Sequence, residues 1–90
     1  MSVRTLKAIV TGRVQGVFYR ASVKEVAAAL SINGYAKNII NGDVEVEATG
    51  QEADLMAMIK YLNQGPEAAT MESVTWEYIE TKSVEGFAIY

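Results

Sequence analysis

Ninety residues and 9.8 kDa suit one compact domain, and residues 1–90 are expected to form it. Half the chain is hydrophobic and 21% is charged, the balance of a globular protein and not of a disordered one. Cysteine and histidine are both absent, which excludes disulfides, thiolate and imidazole metal sites, cysteine nucleophiles and Ser-His triads.

No apolar run approaches the roughly 18 residues of a membrane span, and the N-terminus lacks a signal-peptide core. The chain therefore reads as soluble and cytoplasmic, with no membrane partner. Eight basic against eleven acidic residues give a net charge of −3, a poor footprint for nucleic-acid binding. Residues 1–42 hold six basic residues against Glu25 alone, or +5, while residues 43–90 hold two lysines against ten acids, or −8. Two accounts stand side by side: a local field that favours a small anion, or charges divided between strands that later interleave.

The predicted elements follow in chain order. From Thr5 to Thr11, Leu6, Ala8 and Val10 alternate with Thr5, Lys7 and Thr11, as in a half-buried strand. A glycine-bearing connection, Gly12-Arg13-Val14-Gln15-Gly16, comes next. Tyr19, Val23, Val26, Ala27 and Leu30 then make one helical stripe. The helix is placed to start near Phe18–Arg20, with Ser22 inside its first turn, and Asn33-Gly34 is read as its stop.

Tyr35 to Ile40 forms a second strand, Asn41-Gly42 a hairpin turn, and Val44, Val46 and Ala48 the buried side of a third. Leu55, Met58, Ile59 and Leu62 mark a second helix from about Gln51 to Asn63, closed by Gly65-Pro66. Met56 and Met58 are both read as core filler. Strands over Glu72–Glu80 and Phe87–Tyr90 complete the chain. The order β-α-β-β-α-β, with a final β, predicts an α+β sandwich with an antiparallel sheet in the order 4-1-3-2. Both helices lie on one face and the other face is left wet. The pair Glu45 and Glu47 on that far face is set aside as a solubility device.

This topology brings four things to one end of the sheet: the loop after the first strand, the start of the first helix, Arg20 and Asn38. Parity allows Ala36, Asn38 and Ile40 to face the helices, with Tyr35 and Lys37 facing away. Loop amides backed by a helix dipole form an anion cradle. Arg20 is placed to fork onto phosphate oxygens, and Asn38 offers an acceptor and a donor for a water. On spacing alone these are weak signals, since each residue also has an ordinary structural reading: Tyr19 as core, Arg20 as a solvated helix-end residue, Gln15 and Lys37 as exposed polar residues.

The run Gly12-Arg13-Val14-Gln15-Gly16-Val17-Phe18-Tyr19-Arg20, with Gly34-Tyr35-Ala36-Lys37-Asn38 and Asn41-Gly42 downstream, resembles the acylphosphatase family. The family pattern is G-x-V-Q-G-V-x-F-R followed by G-[WYF]-[VA]-x-N, and the resemblance extends over essentially the whole chain. It implies a ferredoxin-like fold and hydrolysis of acyl phosphates to a carboxylate and inorganic phosphate. Carried over by position, Arg20 binds the phosphoryl group and Asn38 positions the attacking water. Gln15, Gly16, Val17, Phe18, Tyr19 and Arg20 line the phosphate loop. No metal or other cofactor is implied, and the only partners expected are a small acyl phosphate and its phosphate product, acting on a monomer.

Three departures or variable points accompany the match. Tyr19 stands where phenylalanine is usual, and its hydroxyl needs a partner. Position 18 varies in the family, with Phe18 among its choices. Ile39 lacks a hydroxyl that some members carry. In some members the chain end approaches the active-site arginine, which makes Tyr90 a residue to watch. The alternative reading is a non-catalytic module of the same fold that holds phosphate or carbamoyl phosphate without turnover.

Overall fold

Alternating apolar residues build the sheet, and a computed structural model describes residues 3–90 of it and its helices. The strands are β1 (Val3–Arg13), β2 (Asn33–Asn38), β3 (Val44–Gln51), β4 (Thr70–Ile79) and β5 (Phe87–Ile89), with helices α1 (Tyr19–Ala29) and α2 (Glu52–Gln64). They form one five-stranded sheet in the order β4-β1-β3-β2-β5. The first four strands pair antiparallel, as the sequence predicts. β5 adds to the β2 edge in parallel, which makes the complete sheet mixed.

Opposed residues across this sheet share a face. Leu6, Ala8 and Val10 stand opposite Ala48, Val46 and Val44, which in turn oppose Gly34, Ala36 and Asn38. The apolar members are buried beneath Tyr19, Val23 and Ala27 of α1 and Leu55, Met58 and Leu62 of α2. Each large aliphatic side chain buried there stabilises the fold by about 1.5–3 kcal/mol. Gly34 holds φ 144°, and any Cβ on it would run into the Glu47 carbonyl. A side chain at this position would push β2 off β3.

The far face departs from the prediction. The connection from β4 to β5 crosses it, and Thr5, Glu47 and Thr49 are buried. The Thr5 and Thr49 hydroxyls lie 2.7 Å apart, and Thr5 Oγ1 accepts the Lys82 amide. Glu47 meets Lys82 Nζ at 3.1 Å and accepts from the Tyr35 hydroxyl. Glu47 is thus a paired, buried carboxylate and not a solubility device. Burial, then the hydrogen bond to Glu45 and the charge of Glu47, raise the Tyr35 hydroxyl above its usual pKa, so it stays a donor. Part of the charge division along the chain interleaves across the sheet: Lys7 faces Glu47 and Glu77, and Lys37 faces Glu45.

Other placements differ from the sequence reading in smaller ways. Ile40 is fully exposed in the β2–β3 turn, beyond the last strand residue, so parity no longer governs it. Met56 is partly exposed on the outer side of α2, while Met58 is core. Asn33-Gly34 opens β2 instead of ending α1. The helix stops earlier, with Ile32 N–H bonded to the Ala27 carbonyl and Ser31 N–H to that of Ala28. This is a Schellman stop, and its left-handed residue is Ser31 at φ 55°.

Glycine usually fills that role without steric cost. Ser31→Gly is therefore expected to raise stability by about 0.5–1 kcal/mol, the left-handed penalty less the added chain entropy of glycine. Urea unfolding of the two proteins side by side measures it.

Candidate functional site

The site starts where β1 leaves the sheet. A bulge falls between Thr11 and Gly12 in the ladder with β4, and Gly12 takes φ 124°. A side chain there would strike the Thr70 carbonyl and the Glu72 amide, so glycine lets β4 pass close by. The chain then turns off the sheet, pinned by buried Val14.

Gly16 and Phe18 are left-handed, at φ 74° and 61°, and Val17 between them is not. Such alternation of hand turns successive N–H groups towards one side and makes a concave nest for an anion. The N–H groups of Gly16 through Ala21 donate to no acceptor among the described residues; the first helical bond is Ser22 N–H to the Phe18 carbonyl. The positive end of the α1 dipole lies behind them. α1 begins at Tyr19, inside the predicted interval, and Ser22 Oγ bonds back to the Tyr19 carbonyl within the first turn.

Arg20 is the second residue of that helix. Its Nη1 donates to the main-chain oxygen of Tyr90 at 2.6 Å, and no other guanidinium donor has a protein partner among the described residues. Tyr90 is itself fixed against β2: its N–H donates to the Ala36 carbonyl, and its oxygen also accepts the Asn38 N–H at 3.1 Å. Its ring packs edge-on against Tyr35. One oxygen atom therefore links Arg20 and Asn38.

Asn38 lies level with Val10, since both oppose Val44, and so it projects from the helix-facing side of the sheet. Its Oδ1 is buried with no hydrogen-bond partner among the described residues. Buried acceptors are rarely left this way in structure-bearing roles.

Gln15 and Tyr19 do something other than touch a ligand with their side chains. Gln15 Nε2 donates to the carbonyls of Ile39 and Asp43, at 3.0 and 2.9 Å, and so ties the loop to the β2–β3 turn. Tyr19 is buried, and its hydroxyl donates to the Leu62 carbonyl at 2.8 Å. That carbonyl, near the end of α2, has no regular helical partner, because the residue four positions on is Pro66, which has no N–H. Burial, and next the neighbouring Tyr61, raise the Tyr19 hydroxyl above its usual pKa and keep it protonated.

Gly16, Phe18, Tyr19 and Arg20 line one cavity of about 300 Å³ together with Val14, Ala21 and Ile89. Val17 leans on the core. Sequence reasoning missed Ile89, the bond from Gln15 to the turn and the parallel docking that carries Tyr90 to Arg20. For the last of these, the family resemblance points to the chain end near the arginine, but not to the parallel pairing that brings it there.

A nest of unbonded amides, a helix start and an arginine suit this ferredoxin-like sandwich to binding an oxyanion. The acylphosphatase family profile matches residues 6–89. An acylphosphatase from Vibrio parahaemolyticus is 43% identical over 89 residues, 99% of each chain. Among solved structures, an acylphosphatase from Coxiella burnetii superposes with TM-score 0.94 at 35% identity, over 98% of this chain and 93% of that one. The Bacillus subtilis acylphosphatase gives TM-score 0.93 at 27% identity, over 99% of both chains. The chain belongs to the acylphosphatase family, and it is an enzyme of acyl phosphate hydrolysis.

Tyr19→Phe leaves the Leu62 carbonyl buried without a donor. It is expected to lower stability by about 1–3 kcal/mol, read from the denaturation midpoint at neutral pH.

Proposed function

We propose that the enzyme hydrolyses acyl phosphates by direct attack of water on phosphorus, with no metal and no covalent intermediate. The amides of Gly16 through Arg20, with the guanidinium of Arg20, hold the phosphoryl oxygens. The amide of Gln15 belongs to the same loop, although its side chain is committed to the turn. Asn38 holds the water, and the observation that carries this reading is its buried, unpartnered Oδ1 beside the strand that anchors Arg20.

The chemistry asks little more of the protein. Phosphoryl transfer depends mainly on positioning and on stabilising charge over the equatorial oxygens. Amides and an arginine fixed before substrate arrives supply that charge with no reorganisation. The leaving group is a carboxylate, stable as an anion, so no general acid is required. The water hydrogen-bonded to Asn38 loses its proton to a phosphoryl oxygen of the substrate as the P–O bond to the acyl group breaks. The products are a carboxylate and inorganic phosphate, which is consistent with a chain that has no histidine or cysteine to act as base or nucleophile.

Phosphate release from benzoyl phosphate in excess EDTA tests the whole reading. Wild type is expected to release phosphate well above the spontaneous rate. Arg20→Ala and Arg20→Lys are expected to lose about 100-fold or more in turnover, the usual consequence of removing one oxyanion donor, together with affinity for inorganic phosphate. Asn38→Ala is expected to lose turnover while keeping competitive inhibition by phosphate. Normal turnover in that variant would place the water elsewhere, and a pH–rate profile requiring an enzymic base near neutrality would overturn proton transfer to the substrate.

A further inference from the structure

Beside Arg20 and the loop amides, the side chains that line the cavity are apolar. Val14, Phe18, the ring of Tyr19, Ala21 and Ile89 make up the rest of it, with the backbone of Gly16. Two of these side chains are exposed without a structural reason. Phe18 is 83% exposed, and its left-handed backbone, φ 61° and ψ 17°, is one that a bulky residue adopts at a steric cost. Its side chain forms no cap for α1. Ile89 is 37% exposed on β5, at the same cavity.

We propose that Phe18 and Ile89 form the subsite for the acyl group, and that the enzyme selects acyl phosphates whose acyl group is apolar and bulky, aromatic or branched, over those of acetyl size. This rests on the proposed placement of the phosphoryl group at the loop amides and Arg20. The acyl carbon is joined to phosphorus through a single oxygen, so the acyl group must lie in the same cavity, next to the phosphoryl group. About 300 Å³ is at the small end of ligand sites, enough for a phosphate and one ring or branched chain. Removing Phe18 and Ile89 from water gives the acyl group its binding free energy. A second negative charge on the acyl chain would lie against apolar side chains, since Arg20 is the only cation lining the cavity among the described residues.

Two non-hydrolysable probes, benzoylphosphonate and acetylphosphonate, separate this subsite from catalysis. Calorimetric titration of wild type is expected to favour benzoylphosphonate by about tenfold or more, as an apolar pocket of this size discriminates. In Phe18→Ala and Ile89→Ala the benzoyl-to-acetyl ratio is expected to fall towards one, and Phe18→Leu to keep part of it. The ratio is the readout because Phe18 also contributes a backbone amide to the cradle, and a common loss for both probes cancels. A wild-type ratio near one, or a ratio unchanged in both alanine variants, overturns the subsite. Wild-type turnover of benzoyl phosphate is measured in parallel. Preference in binding without turnover sinks the hydrolytic mechanism and leaves the subsite standing; turnover without preference does the reverse.

Discussion

The pairing of Asn38 with Val44 is the constraint on which the rest of the site depends. A slip of one residue between β2 and β3 would turn Asn38 to the far face, away from Arg20 and the loop. It would also move the amide that Tyr90 accepts from, and so release Arg20. Several features hold the register. Gly34 lets the β2 backbone approach Glu47 closely, the Asn41 side chain bonds to Asp43 in the turn, and Gln15 grips both sides of that turn. The far face contributes too, since Tyr35 and Glu47 are directly opposed and hydrogen-bonded.

In the proposed mechanism phosphate is held mostly by main chain. Amides cannot be titrated away in the working pH range, and their direction is set by φ and ψ instead of by side-chain rotamers. The cost appears as strain at Phe18 and as a run of donors without partners among the described residues. Stability elsewhere offsets it: a continuous core under both helices, a capped end to α2, and a buried polar cluster across the far face. Arg20 and Asn38 are the two side chains the proposal adds, and a single oxygen of Tyr90 accepts from the guanidinium of one and the backbone N–H of the other.

Much of this was legible in the sequence because period-two and helical patterns are strong. They gave the element order, the buried faces of β1 and β3, the start of α1 and the meeting of loop, Arg20 and Asn38. What escaped was decided by contacts distant in the chain or by backbone conformation that leaves no residue-type signature. Ser31 stops α1 without glycine, so Asn33-Gly34 drew the prediction two residues too far. Glu47 looked like one more surface charge until the β4–β5 connection brought Lys82 to it. Gln15 looked like a polar loop residue, and its partners are more than twenty positions away. Tyr19 carried a visible puzzle, a hydroxyl in a core stripe, and its solution lay in Pro66.

The docking of β5 also sets when the protein becomes competent. β2 is made early and its outer edge is filled only by residues 87–90, the last stretch of the sheet to leave the ribosome. A nascent chain that has released β4 already contains every residue of the loop, Arg20 and Asn38. It still lacks the oxygen that orients the arginine. Biosynthesis thus lays down the loop, Arg20 and Asn38 well before the strand whose docking fixes the arginine against β2.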